Sequence, residues 1–159
     1  MGTVTFRYAT EQDCSLILEF IRGIAEYEKM LDQVVTTEQM LQQVLFREHR
    51  AEVIFAIEGD VEVGFALFFH NFSTFVGRAG LYLEDVYVKP AYRGKGYGKA
   101  LLKKLAAIAV ERGCGRFEWV CLDWNQPSID FYRSLGAVPQ GEWTIYRLTG
   151  DALEKLATE

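Results

Sequence analysis

The sequence predicts one α/β domain (α+β): a mixed, mostly antiparallel sheet of about six to seven strands, flanked by helices. Three observations predict it. Half of the 159 residues are apolar, enough to bury one adequate core. Runs rich in Val, Phe and Tyr alternate with runs whose apolar residues recur at every third or fourth position. No repeat, linker or low-complexity segment interrupts the chain, so residues 1–159 read as a single domain.

Residues 4–8 alternate as a short strand, with Val4, Phe6 and Tyr8 on one face. Thr10-Glu11-Gln12-Asp13 reads as a cap and acidic first turn for a helix to about Met30, whose Leu16, Ile17, Phe20, Ile21, Ile24 and Tyr27 share a face. A second helix starts at Thr36 or Thr37 and carries Met40, Leu41, Val44 and Leu45. Residues 53–57 and 61–69 flank the hairpin signal Glu58-Gly59-Asp60, and 80–88 form the next strand, ended by Lys89-Pro90. Residues 98–112 form a helix with Leu101, Leu105 and Ile108 on one face, stopped by Gly113 and Gly115. Then come a strand at 116–122 and a short helix at 128–135 that starts from Asn125-Gln126-Pro127-Ser128. A last strand at 142–148 and a terminal helical turn at 151–157 complete the chain.

The chain is organised around Tyr92-Arg93-Gly94-Lys95-Gly96-Tyr97-Gly98-Lys99, three alternating glycines between a strand and a helix. Gly-rich backbone brings several N–H groups close to an anion, and the helix start adds unpaired N–H groups and the positive end of its dipole. That combination suits a phosphate or pyrophosphate. No Gly-Lys-Ser/Thr follows, so it is not a P-loop, and G-x-G-x-G differs from the dinucleotide fingerprint, although Glu118 stands where a ribose-binding acid would be sought. Charge supports an anion site. Residues 86–110 hold six Lys and Arg and no acid, which leaves 11 basic against 22 acidic residues elsewhere. A cationic loop suits an anionic cofactor, and an acidic remainder suits a cationic substrate.

Other classes are poorly served. A chain this acidic, with no further basic stripe, does not suggest nucleic acid. No apolar run reaches membrane-spanning length, and residues 1–7 lack a signal-peptide pattern. Cys14, Cys114 and Cys121 are odd in number and scattered, as in a reducing cytoplasm. His49 and His70 show no ligand spacing, so no metal is expected.

Arg93-Gly94-Lys95-Gly96-Tyr97-Gly98 resembles the acyl-CoA pyrophosphate loop of the GNAT superfamily of N-acetyltransferases, and the predicted element order resembles the GNAT fold over essentially the whole chain. Ile24-Ala25-Glu26-Tyr27-Glu28-Lys29, Leu83-Glu84-Asp85-Val86-Tyr87-Val88, Asp123-Trp124-Asn125 and Phe131-Tyr132 are similar to the diamine (spermidine/spermine) and thialysine acetyltransferase family. The resemblance implies transfer of the acetyl group of acetyl-CoA to a primary amine of a small cationic substrate, by direct attack in a ternary complex. It implies cofactor contacts from the backbone of Val86, Tyr87 and Val88, from Arg93, Gly94, Lys95, Gly96, Tyr97, Gly98 and Lys99, and from Asn125, Gln126, Pro127 and Ser128. Substrate contacts fall on Tyr27, Glu28, Glu84, Glu118, Trp119 and Val120. Catalysis falls on Glu84 as base or base relay and on Tyr132 as general acid, and the assembly expected is a homodimer.

The residue types suit that chemistry. An alkylammonium has a pKa near 10.4, so at pH 7 roughly one molecule in a few thousand is the neutral nucleophile. A carboxylate can bind the cation and take its proton, directly or through water. Asp85 would face away from Glu84 in a regular strand, and a bulge would change that. Glu26, Tyr27, Glu28 and Asp32 cluster acids with an aromatic ring, a fitting surface for an alkylammonium. Cys121 has no His near it in sequence to activate an acyl-cysteine route. Acetylation of a protein lysine or N-terminus, and acyl-CoA binding without turnover, stand as alternatives.

Overall fold

A computed structural model describes residues 3–159, so Met1 and Gly2, which open the N-terminal segment read above, lie outside the described residues. Two compact units make up the chain, the first ending at Val120 and the second spanning Cys121–Glu159.

In the first unit, β1 (Val4–Tyr8), β2 (Glu52–Glu58), β3 (Val61–Ser73), β4 (Arg78–Val88) and β5 (Phe117–Glu118) form one sheet in the order 1-2-3-4-5. The first three pairings are antiparallel and β4–β5 is parallel. The β2–β3 hairpin closes on Glu58 opposite Val61, around Gly59 at φ +62°. Helix α1 (Cys14–Tyr27) and α2 (Glu38–Leu41) follow β1 in sequence, and α3 (Tyr97–Glu111) joins β4 to β5.

Side-chain alternation in the strands sorts the core into two faces. Ile17, Leu18 and Phe20 of α1, with Leu41 of α2, pack on Val53, Phe55 and Phe65. Phe20 and Phe65 stack with ring centres 4.9 Å apart, and burying each such ring contributes about 1.5–3 kcal/mol. The opposite face takes α3, where Leu101, Leu105 and Ile108 are buried as their spacing predicts. Gly64 on β3 lets α3 approach: a Cβ there would lie 3.1 Å from Leu101 Cδ1.

Several element boundaries shift for local reasons. The predicted first helix is a 3₁₀ turn, Glu11–Asp13, followed by α1. Thr37 starts α2, its Oγ1 accepting from Met40 N at 3.2 Å, and a π-helical stretch, Gln42–Arg47, continues it. The sheet has five strands among the described residues, where six to seven were expected. The expected strand at 116–122 shrinks to β5, because β4 bulges just past its last paired residue, Tyr82, and the ladder stops there.

The second unit holds α4 (Gln126–Ser134) and α5 (Gly150–Thr158). Residues 142–148, expected as a strand, form none. No strand of the same unit adjoins this segment, and a lone run of β-formers has no ladder to join. No described helix is long and apolar enough to cross a membrane.

Candidate active site

Helix α1 ends where an amine-binding surface is expected. Lys29 takes the left-handed conformation at φ +62°. Its N–H donates to Glu26 O, and Met30 N–H donates to Ala25 O at 2.7 Å. This bond pair is a Schellman closure, which uses two of the orphan carbonyls of the last turn. It holds Tyr27 and Glu28 at a fixed helix end, Tyr27 exposed and Glu28 half-buried. Burial raises the Glu28 carboxyl above its usual range.

Strand β4 supplies the other acids through a bulge. Leu83 pairs with Phe68, but Asp85 pairs with Leu67, which leaves Glu84 as the extra residue. Phe68 shares the α3 face with Gly64, whereas Leu67 packs against the α1 core. Asp85 is therefore turned to the α1 face, where a regular strand after Leu83 would have put Glu84. Three carboxylates converge as a result. Burial pushes the Asp85 carboxyl up to about 7, and the negative charges of Glu84 and Glu28 add to it. Glu84 itself is exposed on the bulge.

Tyr87, two residues on, shares the α1 face with Asp85 and pairs with Phe65. Gly23 of α1 makes room for its ring: a Cβ there would sit 2.9 Å from Tyr87 Cε1. Phe20 meets the same ring edge-on at 6.3 Å. The Tyr87 ring is thus fixed between α1 and the sheet.

The glycine loop uses two of its three glycines for their backbone freedom. Gly94 and Gly96 stand at φ +79° and +83°, values that only glycine takes readily. Gly96 is the N-cap of α3. Gly98 is different: its φ is not in that region, and an added Cβ would meet only Val88 Cγ2 at 4.0 Å. The protein itself does not require glycine there, so the space beside the helix start suits a ligand's close approach. Arg93, Lys95 and Lys99 are exposed around it. These features fit the diphosphate of a coenzyme.

The first loop cations already have partners. Lys95 Nζ lies 3.5 Å from Glu58 Oε1 and 5.3 Å from the Tyr92 ring centre. Tyr97 is buried, and its hydroxyl donates to the same Glu58 oxygen. That bond lowers the Glu58 carboxyl and pushes the Tyr97 phenol up to about 12. What Tyr97 offers a ligand is its backbone. Arg93 Nε donates to Val88 O at 3.0 Å, and its guanidinium lies 5.4 Å from the Tyr27 ring centre and 5.1 Å from that of Tyr87.

Val88 O belongs to an edge of β4. Lys89 N–H bonds Val63 O at 2.8 Å, and adjacent residues of an antiparallel strand turn their groups to opposite sides. Val88 therefore directs its N–H and C=O away from β3. The β4–β5 ladder is confined to Leu81 and Tyr82, so Val86 to Val88 lie beyond it. Such an edge can pair with an extended amide chain.

Glu118 pairs with Tyr82 in the β4–β5 ladder, near the bulge. Asn71 Nδ2 donates to its carboxylate at 3.3 Å, and Arg116 Nε lies 3.7 Å away. Trp119 packs on Phe117 with ring centres 5.0 Å apart, and Val120 is exposed. The first unit therefore brings Tyr27, Tyr87, Val88 and Arg93 together, with Glu28 and Glu84 both near enough to Asp85 for their charges to act on it. In the second unit Asn125 caps α4 by accepting from Ser128 N, with Pro127 in the first turn, and Gln126 bonds Asp130 at 2.7 Å. Tyr132 lies on α4 with its ring 5.6 Å from Phe131.

Two features that matter here are not fixed by the sequence. For Asp85 the sequence leaves two orientations open, away from Glu84 in a regular strand or changed by a bulge, and the observed pairing shows the bulge. Glu58 reads as a turn residue, and its bond to Tyr97 spans 39 positions. Neither fact has a local sequence signal.

Comparison with known proteins places the geometry in context. A family model described as "Acetyltransferase (GNAT) family" matches residues 15–137. Thialysine N-epsilon-acetyltransferase of Sus scrofa is 41% identical over 169 aligned positions, 99% of each chain. The protein of the same name from Caenorhabditis elegans is 35% identical over 94% of each. Among solved structures, an integron cassette protein from the mobile metagenome of V. cholerae superposes with a TM-score of 0.82 at 32% identity, covering 100% of both chains.

Proposed function

The chain belongs to the acetyltransferase (GNAT) family, and from that premise we propose that it acetylates a primary amine of a small cationic substrate, a polyamine or a thialysine- or lysine-like amine. One observation carries the choice of substrate: the bulge that turns Asp85 toward Glu28, beside Glu84, on the face bearing Tyr27 and Tyr87. Carboxylates at an aromatic surface recognise an alkylammonium by charge and by cation–π attraction. The names of the thialysine acetyltransferase relatives support the same reading.

Acetyl-CoA, when bound, supplies the acetyl thioester that the amine attacks directly within a ternary complex. Gly94, Gly96 and Gly98, with Arg93, Lys95 and Lys99, would hold its diphosphate, and Val86 to Val88 would pair with its pantetheine amides. Asn125 to Ser128 at the start of α4 would add cofactor contacts. Glu84 binds the ammonium and takes its proton, directly or through water. Asp85, whose carboxyl titrates at about 7, is a second acceptor on the same bulge. Tyr132 donates the proton that helps the thiolate leave, a modest assistance because a thiol with a pKa near 8.5 departs readily. The single catalytic domain is taken to include both units. Three free cysteines suit a reducing cytoplasm, and a homodimer rests on the family resemblance.

Release of free thiol from acetyl-CoA, measured with spermidine, spermine, putrescine, thialysine, lysine and short peptides, tests the reading. Turnover on a small amine is expected, reduced about 10²–10³-fold in kcat/KM by Glu84→Gln and by a smaller factor in Tyr132→Phe. Acetyl-CoA binding by calorimetry stays unchanged in both variants. Turnover confined to peptides, or absent while acetyl-CoA still binds, overturns it.

A further inference from the structure

Arg93 makes three contacts at once, and each falls on a group that the functional reading assigns to a ligand. Its Nε bonds Val88 O, on the edge of β4 where a pantetheine amide would pair. Its guanidinium lies over Tyr27, at the helix end carrying Glu28. It also lies over Tyr87, whose ring is pinned by Gly23 and Phe20. Two aromatic faces engaging one planar cation form a cation-binding surface, and the cation now on it belongs to the protein.

We propose that Arg93 occupies the amine-binding surface of Tyr27 and Tyr87 in the free protein, so that acetyl-CoA, by drawing it away, tightens the binding of an amine there. The inference rests on the reading of this chain as an acetyl-CoA-dependent amine acetyltransferase. Its new content is the role of the Tyr87 ring in selecting a cation and of Arg93 as the tethered competitor that couples the two ligands.

The physical argument is one of exclusion. Two cations cannot share one pair of ring faces, because each would lose its contact area and repel the other. An incoming amine therefore has to displace a tethered competitor, which lowers its affinity for the free protein. An incoming diphosphate offers Arg93 bidentate oxygen acceptors, a stronger partner than ring faces and one carbonyl. A pantetheine amide competes for Val88 O at the same time. Cofactor binding thus removes both reasons for Arg93 to stay, and the vacated rings become available. Arg93 is exposed and has no part in the core, so the exchange needs only rotation of one side chain.

Titration calorimetry with spermidine and thialysine, in the absence and presence of saturating CoA, tests this without turnover. In the wild-type protein CoA should tighten amine binding roughly fivefold or more, and the amine should tighten CoA by the same factor, since the coupling is reciprocal. In Arg93→Ala the amine should bind the free protein as tightly as it binds the CoA-saturated wild type, with no further gain from CoA. The Nε–H signal of Arg93, assigned by its loss in that variant, should show ring-current displacement in the free protein and lose it on adding CoA. Equal amine affinity with and without CoA, no amine binding in either state, or unchanged coupling in Arg93→Ala overturns the proposal. Acetyl transfer failing with every amine overturns the functional reading instead, whereas transfer without coupling overturns this inference alone.

Discussion

The glycine loop and the β4 bulge lie a few residues apart, yet they achieve opposite electrostatics by opposite means. The loop gathers positive charge with local devices: two left-handed glycines, a helix start, and cations at alternate positions. The bulge gathers negative charge by tertiary register. Glu84 and Asp85 are neighbours in sequence, but Glu28 comes from α1, and the cluster exists only because Asp85 pairs with Leu67. The proposed anion site is assembled from nearby residues and the proposed cation site from distant ones. The first should tolerate changes elsewhere in the protein, and the second should not.

The sharpest way to break this contrast is to neutralise the half-buried acid, Asp85. Asp85 ordinarily titrates at 3.8 in an unfolded chain and at about 7 here. Between those values the folded protein holds a proton that the unfolded chain has released. Stability is therefore greatest on the acid side and falls as pH rises from about 4 through 7. Glu84 on the same strand and Glu28 on α1 both sharpen the effect. Asp85→Asn should abolish that slope and raise stability at pH 8 by about 1–3 kcal/mol. It should also remove an acid limb near pH 7 from the kcat/KM profile. Urea unfolding at pH 5 and pH 8 reads the first effect; an unchanged slope in the variant would mean the proton sits elsewhere.

The same contrast explains what could be read in the sequence. The loop's backbone was legible because every part of it lies within eight residues, and Gly94 and Gly96 take the left-handed conformation open to glycine. The α1 and α3 faces were legible because periodicity is a local property: Ile17, Phe20, Leu101 and Leu105 are buried as expected. The orientation of Asp85 was not legible, since a bulge is a relation between two strands. Nor was the Glu58–Tyr97 bond, which joins a hairpin turn to a helix start. The segment 142–148 misled for a related reason. Its Trp, Ile, Tyr and Leu have strand propensity, but propensity does not provide a partner ladder. Arg93 reads from the sequence as a cation for a ligand, while its position over Tyr27 and Tyr87 depends on α1 and β4 lying together, which no local pattern encodes.

The helix end that carries Tyr27 and Glu28 gives a smaller test. Lys29 holds a left-handed conformation in the Schellman closure, at a cost of about 1 kcal/mol that a β-branched residue would raise. Lys29→Val should destabilise the protein by about 1–2 kcal/mol. Reopening the last turn displaces Tyr27 and Glu28, so KM for the amine should rise while the Kd for acetyl-CoA holds. A rise in both values would show that the two sites share more structure than the contrast allows.

The smallest expected change in stability comes from the loop, and its sign separates ligand binding from folding. Gly98 lies in the first turn of α3, has ordinary helical backbone, and leaves open space where a Cβ would go. Alanine is the better helix former there by about 0.5–1 kcal/mol. Gly98→Ala should therefore raise Tm slightly. If the open space receives the diphosphate, the added methyl stands between the helix backbone and its ligand, and the Kd for acetyl-CoA should rise by about tenfold. A more stable protein that binds its cofactor less well is an outcome that damage to the fold cannot produce. Thermal unfolding and calorimetry on one preparation decide it: tighter or unchanged binding would place the diphosphate away from Gly98, leaving Gly94 and Gly96 to carry the anion site.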